Sequence, residues 1–145
     1  HFNGWVGDNP EKYTTARSFH SWIDGGFWGK FGGLDMASLK ASLRPARQLD
    51  SLRGRTDYIL PLIMKFIREQ HALVEPLYRM ERDGQLSGEG KKGREGLPFM
   101  NGQIVKGSLF LADLWYSAYR NAPEDRYLLG VLAKRKLSAG GKSNP

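Results

Sequence analysis

Residues 18–28, with the sequence SFHSWIDGGFW, decide how the rest of the chain is organised. They place His20 and Asp24 four residues apart. On an α-helix, positions i and i+4 lie one above the other on the same face, so these two side chains are predicted neighbours. Apolar residues recur at helical spacing in the same stretch, and they are Phe19, Trp22, Ile23 and Phe27. The pattern predicts a helix with one polar pair and one buried aromatic stripe.

The His20–Asp24 pair has two interpretations on its residues alone. An imidazole nitrogen and a carboxylate oxygen are ligands that zinc accepts, and a helix would hold them on a rigid base. The same spacing is also typical of a His–Asp hydrogen bond without any metal. The aromatic residues around the pair favour the metal interpretation, as does the scarcity of histidine, of which the chain has three.

A loop with a distinctive sequence precedes this stretch. Residues 1–15 read HFNGWVGDNPEKYTT, and their glycines together with Asn9 and Pro10 exclude a helix. The run HFNGW, GDNP and YTT, followed by a helix with His-x-x-x-Asp, resembles part of the superfamily of zinc-dependent nucleases and phospholipases C. It looks most like the bacterial single-strand-specific nucleases. The resemblance covers residues 2–24 and extends weakly through residues 66–78, FIREQHALVEPLY.

The resemblance implies a fold, a cofactor and an activity. Proteins of that superfamily are almost entirely helical, hold three zinc ions in a cleft and hydrolyse phosphodiester or phosphomonoester bonds. The last two metal ligands form a His-x-x-x-Asp or His-x-x-x-Glu pair on one helix. By resemblance, His20 and Asp24 would bind a single Zn²⁺, and single-stranded nucleic acid or a nucleotide would be the substrate. A secreted or periplasmic location is implied in the same way.

The chain also departs from that family. It lacks the amino-terminal Trp whose amino group binds metal, and it lacks the His and Asp ligands that follow that Trp. We therefore expect residues 1–145 to form a single helical domain that is the C-terminal part of a longer domain. The missing N-terminal half or another chain would then complete the site. Because two ligands are fewer than the three or four of typical zinc sites, we expect weak zinc binding and little turnover from this chain alone.

Composition agrees with a helical domain that has a basic surface. With 145 residues, 40% of them hydrophobic, the chain is long enough to bury a core. The absence of cysteine excludes disulfides and cysteine-based zinc sites, and no apolar run approaches the roughly 18–20 residues of a transmembrane segment. The net charge of +7 favours polyanionic partners, although an ordinary basic surface explains it equally well. The alternative function is therefore a non-enzymatic basic helical module that binds nucleic acid or an acidic partner.

The rest of the chain predicts helices and no strands. Capping residues and apolar periodicity indicate four more helices, near residues 36–44, 56–82, 101–119 and 123–137. Asp35 is expected to cap the first of them, and Pro76 is expected to kink the second. The glycine-rich residues 83–96 predict a flexible loop, and residues 138–145 a disordered tail. The fold class is therefore all-α, a bundle of about four to five helices similar to the phospholipase C and single-strand-specific nuclease fold.

Further residues give weaker signals. His71 and Glu75 also have i, i+4 spacing, but a hydrogen bond or an exposed pair is the default interpretation, and the resemblance assigns them no zinc. Tyr116 and Tyr119 would suit base stacking, although packing in the core or at its rim is the commoner role. Some apolar stripes are expected to lack a partner, and to be exposed or covered by oligomerisation. In the last helix, the residues expected to face inward are Tyr127, Leu128, Val131 and Leu132.

Overall fold

A computed structural model of the chain describes residues 3–31, 33–49 and 59–140. Every regular element in these ranges is helical, and they contain no strand, so the all-α prediction is confirmed there. The elements in chain order are α1 (Phe19–Ser21), a π-helical turn (Trp22–Gly26), α2 (Phe27–Gly29), α3 (Met36–Ala41), α4 (Ile59–His71), α5 (Val74–Arg82), a 3₁₀ turn (Lys92–Arg94), α6 (Leu97–Asn121) and α7 (Arg126–Gly140). The described ranges hold about five helices when α1–α2 and α4–α5 are each counted once.

The short helix α3 begins as its sequence predicts. Oδ1 of Asp35 accepts hydrogen bonds from the backbone N–H groups of Ala37 and Ser38, both at 3.1 Å. The hydrogen bond from Ser38 is the main reason why the pKa of the Asp35 carboxyl lies below its usual value. The buried face of α3 is narrower than expected, because Leu39 is buried while Met36 is exposed.

The long helix predicted over residues 56–82 is interrupted in the structure. Residues 56–58 lie outside the described residues, and α4 and α5 are separated by a break at Ala72 and Leu73. Pro76 is the cause, because it has no N–H to donate to the carbonyl of Ala72. The backbone N–H of Leu73 instead donates to the carbonyl of Gln70 at 3.0 Å. The expected kink therefore occurs one turn before the proline.

The core lies beneath residues 18–28. It combines side chains from the N-terminal loop, the α1–α2 run, α5, the segment before α6 and the first turn of α6. These side chains are Tyr13, Phe19, Ile23, Phe27, Leu77, Tyr78, Leu86 and Met100. Tyr78 stands at the centre of an aromatic cluster, with its ring centroid 5.0 Å from Phe19 and 5.3 Å from Trp5. Burial of its phenol raises the pKa of Tyr78 above its ordinary value.

Residues 83–96 pack against this core, so the prediction of a flexible loop was wrong. Leu86 is almost fully buried, and the indole Nε1 of Trp22 donates a hydrogen bond to its carbonyl at 2.8 Å. The backbone N–H of Gly96 donates to the carbonyl of Gln85 at 3.0 Å. A Cβ at Gly96 would lie 2.2 Å from the Leu86 side chain, so this glycine permits close packing.

Helix α6 is longer than predicted and anchors the segment that follows α3. It starts one turn earlier than expected, because Pro98 is well tolerated in a first turn. Its buried Asp113 accepts two hydrogen bonds from the Arg44 guanidinium, at 2.8 and 2.7 Å. One turn on, the hydroxyl of the buried Ser117 accepts a hydrogen bond from the backbone N–H of Leu49 at 2.9 Å. These two residues hold the extended segment on α6.

Helix α7 is the least buried helix among the described residues. It begins three residues after the predicted start at Pro123, where Oδ1 of Asp125 accepts a hydrogen bond from the N–H of Leu128. Tyr127 is 82% exposed, and Leu128 and Leu132 are half-exposed, so the inward orientation expected for these three residues was wrong. The expectation of exposed apolar surface is confirmed.

The end of α7 overlaps the tail predicted over residues 138–145. Residues 138–140 belong to the helix, and residues 141–145 lie outside the described residues. None of the helices in the described ranges combines the length and the hydrophobicity that crossing a membrane requires.

Candidate metal-binding site

The structure brings the two residues of the candidate metal site into contact. Nε2 of His20 lies 2.9 Å from Oδ2 of Asp24. The side chain of His20 is 43% exposed and that of Asp24 is 61% exposed, so the pair lies at the surface. This geometry is that of a hydrogen bond or ion pair, and it brings together two atoms of the types that zinc accepts as ligands.

A π-helical turn positions the pair. His20 lies in α1 and Asp24 in the π turn, where the N–H of Phe27 bonds to the carbonyl of Trp22, five residues earlier. Gly26 makes this turn possible, because a Cβ there would lie 2.4 Å from the Trp22 ring. Single π turns inside α-helices are frequent at functional sites. Glycine is a weak helix former, but its presence in the sequence does not reveal the change from α-helical to π-helical hydrogen bonding.

The buried side of the same run holds the pair in place. Phe19, Ile23 and Phe27 are all buried, and Phe27 is completely inaccessible to solvent. Because these side chains interdigitate with the core, the backbone beneath His20 and Asp24 has little freedom to move. The predicted aromatic stripe is therefore confirmed, and it gives the pair its rigid base.

His20 and Asp24 would supply two ligand atoms to a metal ion. Within the described residues, no group of three or more His, Cys, Asp or Glu side chains is close enough to bind one metal ion. Zinc sites in proteins typically have three or four protein ligands. Tight binding of zinc therefore requires ligands in addition to His20 and Asp24.

The second His–acid pair has a different environment. His71 is the last residue of α4 and Glu75 lies in α5, so the helix break separates them. Both line a cleft of about 440 Å³ between the N-terminal loop and α5. Oε1 of Glu75 accepts hydrogen bonds from the hydroxyl of Tyr13 and from Nη2 of Arg79, both at 3.1 Å. The carboxylate therefore links the loop to α5.

The loop that carries the family resemblance has structural roles for its characteristic residues. The side chain of Asn9 donates to the carbonyl of Tyr13 at 2.8 Å and accepts from the Tyr13 N–H at 2.7 Å. Gly4 has φ +95°, and a Cβ there would lie 2.3 Å from the carbonyl oxygen of Thr15. The motif therefore builds a compact loop that packs on α5.

Two cavities next to the pair were missed by sequence reasoning. Asp24 lines a groove of about 380 Å³, which shares Ile23, Met100 and Gln103 with a chamber of about 300 Å³. Gln70 and Gln103 line the chamber, and within the described residues neither Nε2 of Gln70 nor Oε1 of Gln103 has a hydrogen-bond partner. No local pattern connects two glutamines from different helices, so only the folded chain reveals this site.

Comparisons of the chain with protein-family models, with curated proteins and with solved structures give no match. The family resemblance therefore remains a hypothesis that rests on the residues quoted for it.

Proposed function

We propose that the chain is part of a zinc-dependent phosphoester hydrolase of the nuclease type, in which His20 and Asp24 bind one Zn²⁺. The observation that carries the proposal is the 2.9 Å distance between Nε2 and Oδ2 of these residues. Two ligands of one tetrahedral zinc lie about 3.3 Å apart, given metal–ligand distances near 2.0–2.1 Å. A small rotation of the two exposed side chains would make that geometry, and the buried face beneath them would stay in place.

The residues of the chain have defined roles in this proposal. His20 and Asp24 hold and orient the metal, and Asp24 acts as a ligand, not as a general base. When bound, zinc polarises a phosphoryl oxygen and lowers the pKa of a coordinated water to about 7. The groove beside Asp24 offers apolar surface to the rest of the substrate, with Ile23 and Met100 in its wall.

A zinc titration by calorimetry tests the proposal. The wild-type chain is compared with His20→Ala, and His71→Ala serves as the matched control because His71 is also exposed and ends a helix. We expect weak binding of about one zinc in the wild type and in the control, and at least a tenfold loss of affinity in His20→Ala. Equal affinity in His20→Ala and wild type would assign zinc to another site and contradict the proposal.

Hydrolysis assays test the second half of the proposal. With two described ligands, the isolated chain is expected to hydrolyse a single-stranded oligonucleotide or a nitrophenyl phosphodiester slowly or not at all. Robust zinc-dependent turnover that survives His20→Ala would mean that the chemistry lies elsewhere in the chain.

A basic binding module is the second candidate function. Lys91, Lys92 and Arg94 are exposed on the turn before α6, and the Arg94 guanidinium lies over the ring of Phe31, 5.3 Å from its centroid. With a net charge of +7, this cluster would attract a polyanion. Its signature is oligonucleotide binding that weakens steeply with salt and is unchanged by a chelator. Binding that a chelator abolishes would favour the zinc site instead.

A further inference from the structure

One face of helix α7 carries an acidic residue, two leucines and a lysine, in that order along the chain. Asp125, Leu129, Leu132 and Lys136 are spaced by four, three and four residues, which is the seam spacing of helices that pair. The N–H of Leu129 bonds to the carbonyl of Asp125 at 2.9 Å, so the helical register begins at that residue. The two leucines are half-exposed, and the acid and the lysine at either end are exposed.

We propose that a second copy of the chain covers this face, with the two α7 helices packed antiparallel about a two-fold axis. A two-fold interface requires a surface that is complementary to itself. Antiparallel pairing places Asp125 opposite the partner subunit's Lys136, and Leu129 opposite the partner subunit's Leu132. Parallel pairing would place each charge beside an identical charge. The order acid, leucine, leucine, lysine therefore favours the antiparallel arrangement.

Helix α6, which precedes α7 in the chain, also carries exposed apolar side chains. On the outer side of α6, Leu111, Trp115 and Tyr119 recur every four residues, and Trp115 and Tyr119 are 70% and 77% exposed. Together with Leu129 and Leu132 of α7, these side chains expose on the order of 500 Å² of apolar surface among the described residues. A standard interface buries about 800 Å² on each partner. Because a little over half of an interface is non-polar, a contact that includes both helices would reach the apolar area of a standard dimer.

A second copy explains these residues better than a polyanion does. Exposed tyrosine and tryptophan would stack on bases, but the leucines of α7 would gain nothing from phosphate or base contacts. Leucines at seam spacing are typical of helix–helix contacts, in which each fills a hole on the facing helix. The proposal does not depend on zinc binding at His20 and Asp24, so either can fail alone.

Sedimentation equilibrium of the full chain from about 1 to about 500 µM tests the association. We expect a dimer in the wild type and at least a hundredfold weaker association in the double variant Leu129→Glu, Leu132→Glu. Tyr127→Glu is the matched control, because Tyr127 is exposed on the opposite side of α7 and its replacement should leave the dimer intact. Circular dichroism of each variant establishes that the fold is retained.

Cross-linking tests the orientation of the two helices. The chain has no cysteine, so Leu132→Cys and Lys136→Cys each introduce a single thiol. In the antiparallel pair, Leu132 lies near the two-fold axis, and a short bis-maleimide should join the two copies. The two Lys136 positions would be about 16 Å apart along the helices, beyond its reach. Equal cross-linking at both positions would show a parallel pair and overturn the proposal.

Exchanging the charges of Asp125 and Lys136 tests the ion pairs proposed at the two ends of the helix pair. Asp125→Lys alone and Lys136→Glu alone should each weaken the dimer about tenfold, and an equimolar mixture should regain the wild-type affinity. Asp125→Lys also removes the cap of α7, but it does so in the mixture as well, so only the restored opposite charges explain the recovery.

Three results would overturn the proposal. They are a chain that is monomeric throughout, a dimer that survives the double leucine variant, and a mixture that associates no better than its components. Oligonucleotide binding by a monomeric chain, lost on Leu129→Glu, Leu132→Glu, would identify a polyanion as the occupant and refute the dimer.

Discussion

Two His–acid pairs in this molecule have the same spacing in sequence, but one lies on a continuous helical run and the other spans a helix break. His20 and Asp24 lie on one unbroken helical run, and their side chains meet at 2.9 Å at the surface. His71 and Glu75 are also four residues apart, but a break separates the helices that carry them. The carboxylate of Glu75 is occupied by donors from Tyr13 and Arg79.

The difference shows what spacing alone cannot decide. Side chains at i and i+4 are neighbours only where the helix between them is continuous, and a competing donor can engage the carboxylate instead. At His20 the glycines allow a π turn without breaking the run, and the aromatic stripe fixes its inner side. Near His71, Pro76 breaks the helix, and the hydroxyl of Tyr13 from the N-terminal loop donates a hydrogen bond to Glu75. The first pair meets at the surface, where we propose that it binds a metal, and the second links the N-terminal loop to α5.

The largest expected effect comes from truncating the buried side chain that supports His20 and Asp24 from beneath. Phe27 is completely buried beneath the run that carries His20 and Asp24, so Phe27→Ala should leave a cavity and cost about 3–5 kcal/mol of unfolding free energy. Urea denaturation followed by circular dichroism measures the loss. An unfolding free energy within about 1 kcal/mol of wild type would show that this run does not depend on the core.

Asp113 is a third acidic residue that accepts hydrogen bonds, and the pH dependence of stability measures what those hydrogen bonds contribute. Asp113 accepts hydrogen bonds from Arg44 and from the backbone N–H of Arg47. The Arg44 bond, against the opposing effect of burial, holds the pKa of Asp113 below its usual value. Because the folded-state pKa is depressed, the stabilisation is present above the unfolded value near 3.9 and is lost as pH falls through the folded value.

Asp113→Asn should therefore cost about 2 kcal/mol near neutral pH, and the difference from wild type should shrink below about pH 4. Thermal unfolding of both proteins between about pH 2 and pH 7 measures this. A difference that is constant across that range would mean that the charge of Asp113 does not stabilise the fold.

Tyr13→Phe tests the hydrogen bond that Glu75, the acid of the second pair, accepts from the loop. The substitution removes the hydroxyl that bonds Glu75 and keeps the buried ring, so we expect a loss of about 1 kcal/mol in unfolding free energy. Chemical denaturation measures it. Asn9→Ala is a useful comparison, because it removes both hydrogen bonds that close the loop and should cost more. A larger loss in Tyr13→Phe would contradict this order.

The smallest expected effect is that of Pro76→Ala. The amide restored at position 76 can donate to the carbonyl of Ala72, so α4 and α5 should join and bring His71 and Glu75 into register. The gained hydrogen bond is offset by a more flexible unfolded chain, and the net stability change should stay within about 1 kcal/mol. A nuclear Overhauser contact between the two side chains would report the new register. Persistence of the break in this variant would mean that Pro76 is not its cause.

Local chemistry explains which parts of the fold were predictable. The Asp35 cap, the aromatic stripe of residues 18–28 and the interruption caused by Pro76 all depend on residues close in sequence. Each rests on a rule about neighbouring positions, and each was predicted, the interruption with an error of one turn in its place.

The mistakes arose where distant residues decide the outcome. The glycines of residues 83–96 were interpreted as flexibility, whereas Gly96 permits contact with Leu86, and Trp22 bonds to the backbone there. The π turn escaped prediction because helical periodicity assumes a constant 3.6 residues per turn. The helix α7 itself was predicted, but apolar periodicity does not show whether a surface exists to cover the apolar side chains.

The most direct test of zinc binding at His20 and Asp24 follows the histidine imidazoles by NMR during a zinc titration. The chain has three histidines, so their signals can be assigned by single substitutions. We predict that the ring signals of His20 move, that those of His71 stay unchanged, and that Asp24→Ala suppresses the change. A zinc-dependent shift at His71 with none at His20 would reverse the comparison between the two pairs and contradict zinc binding at His20 and Asp24.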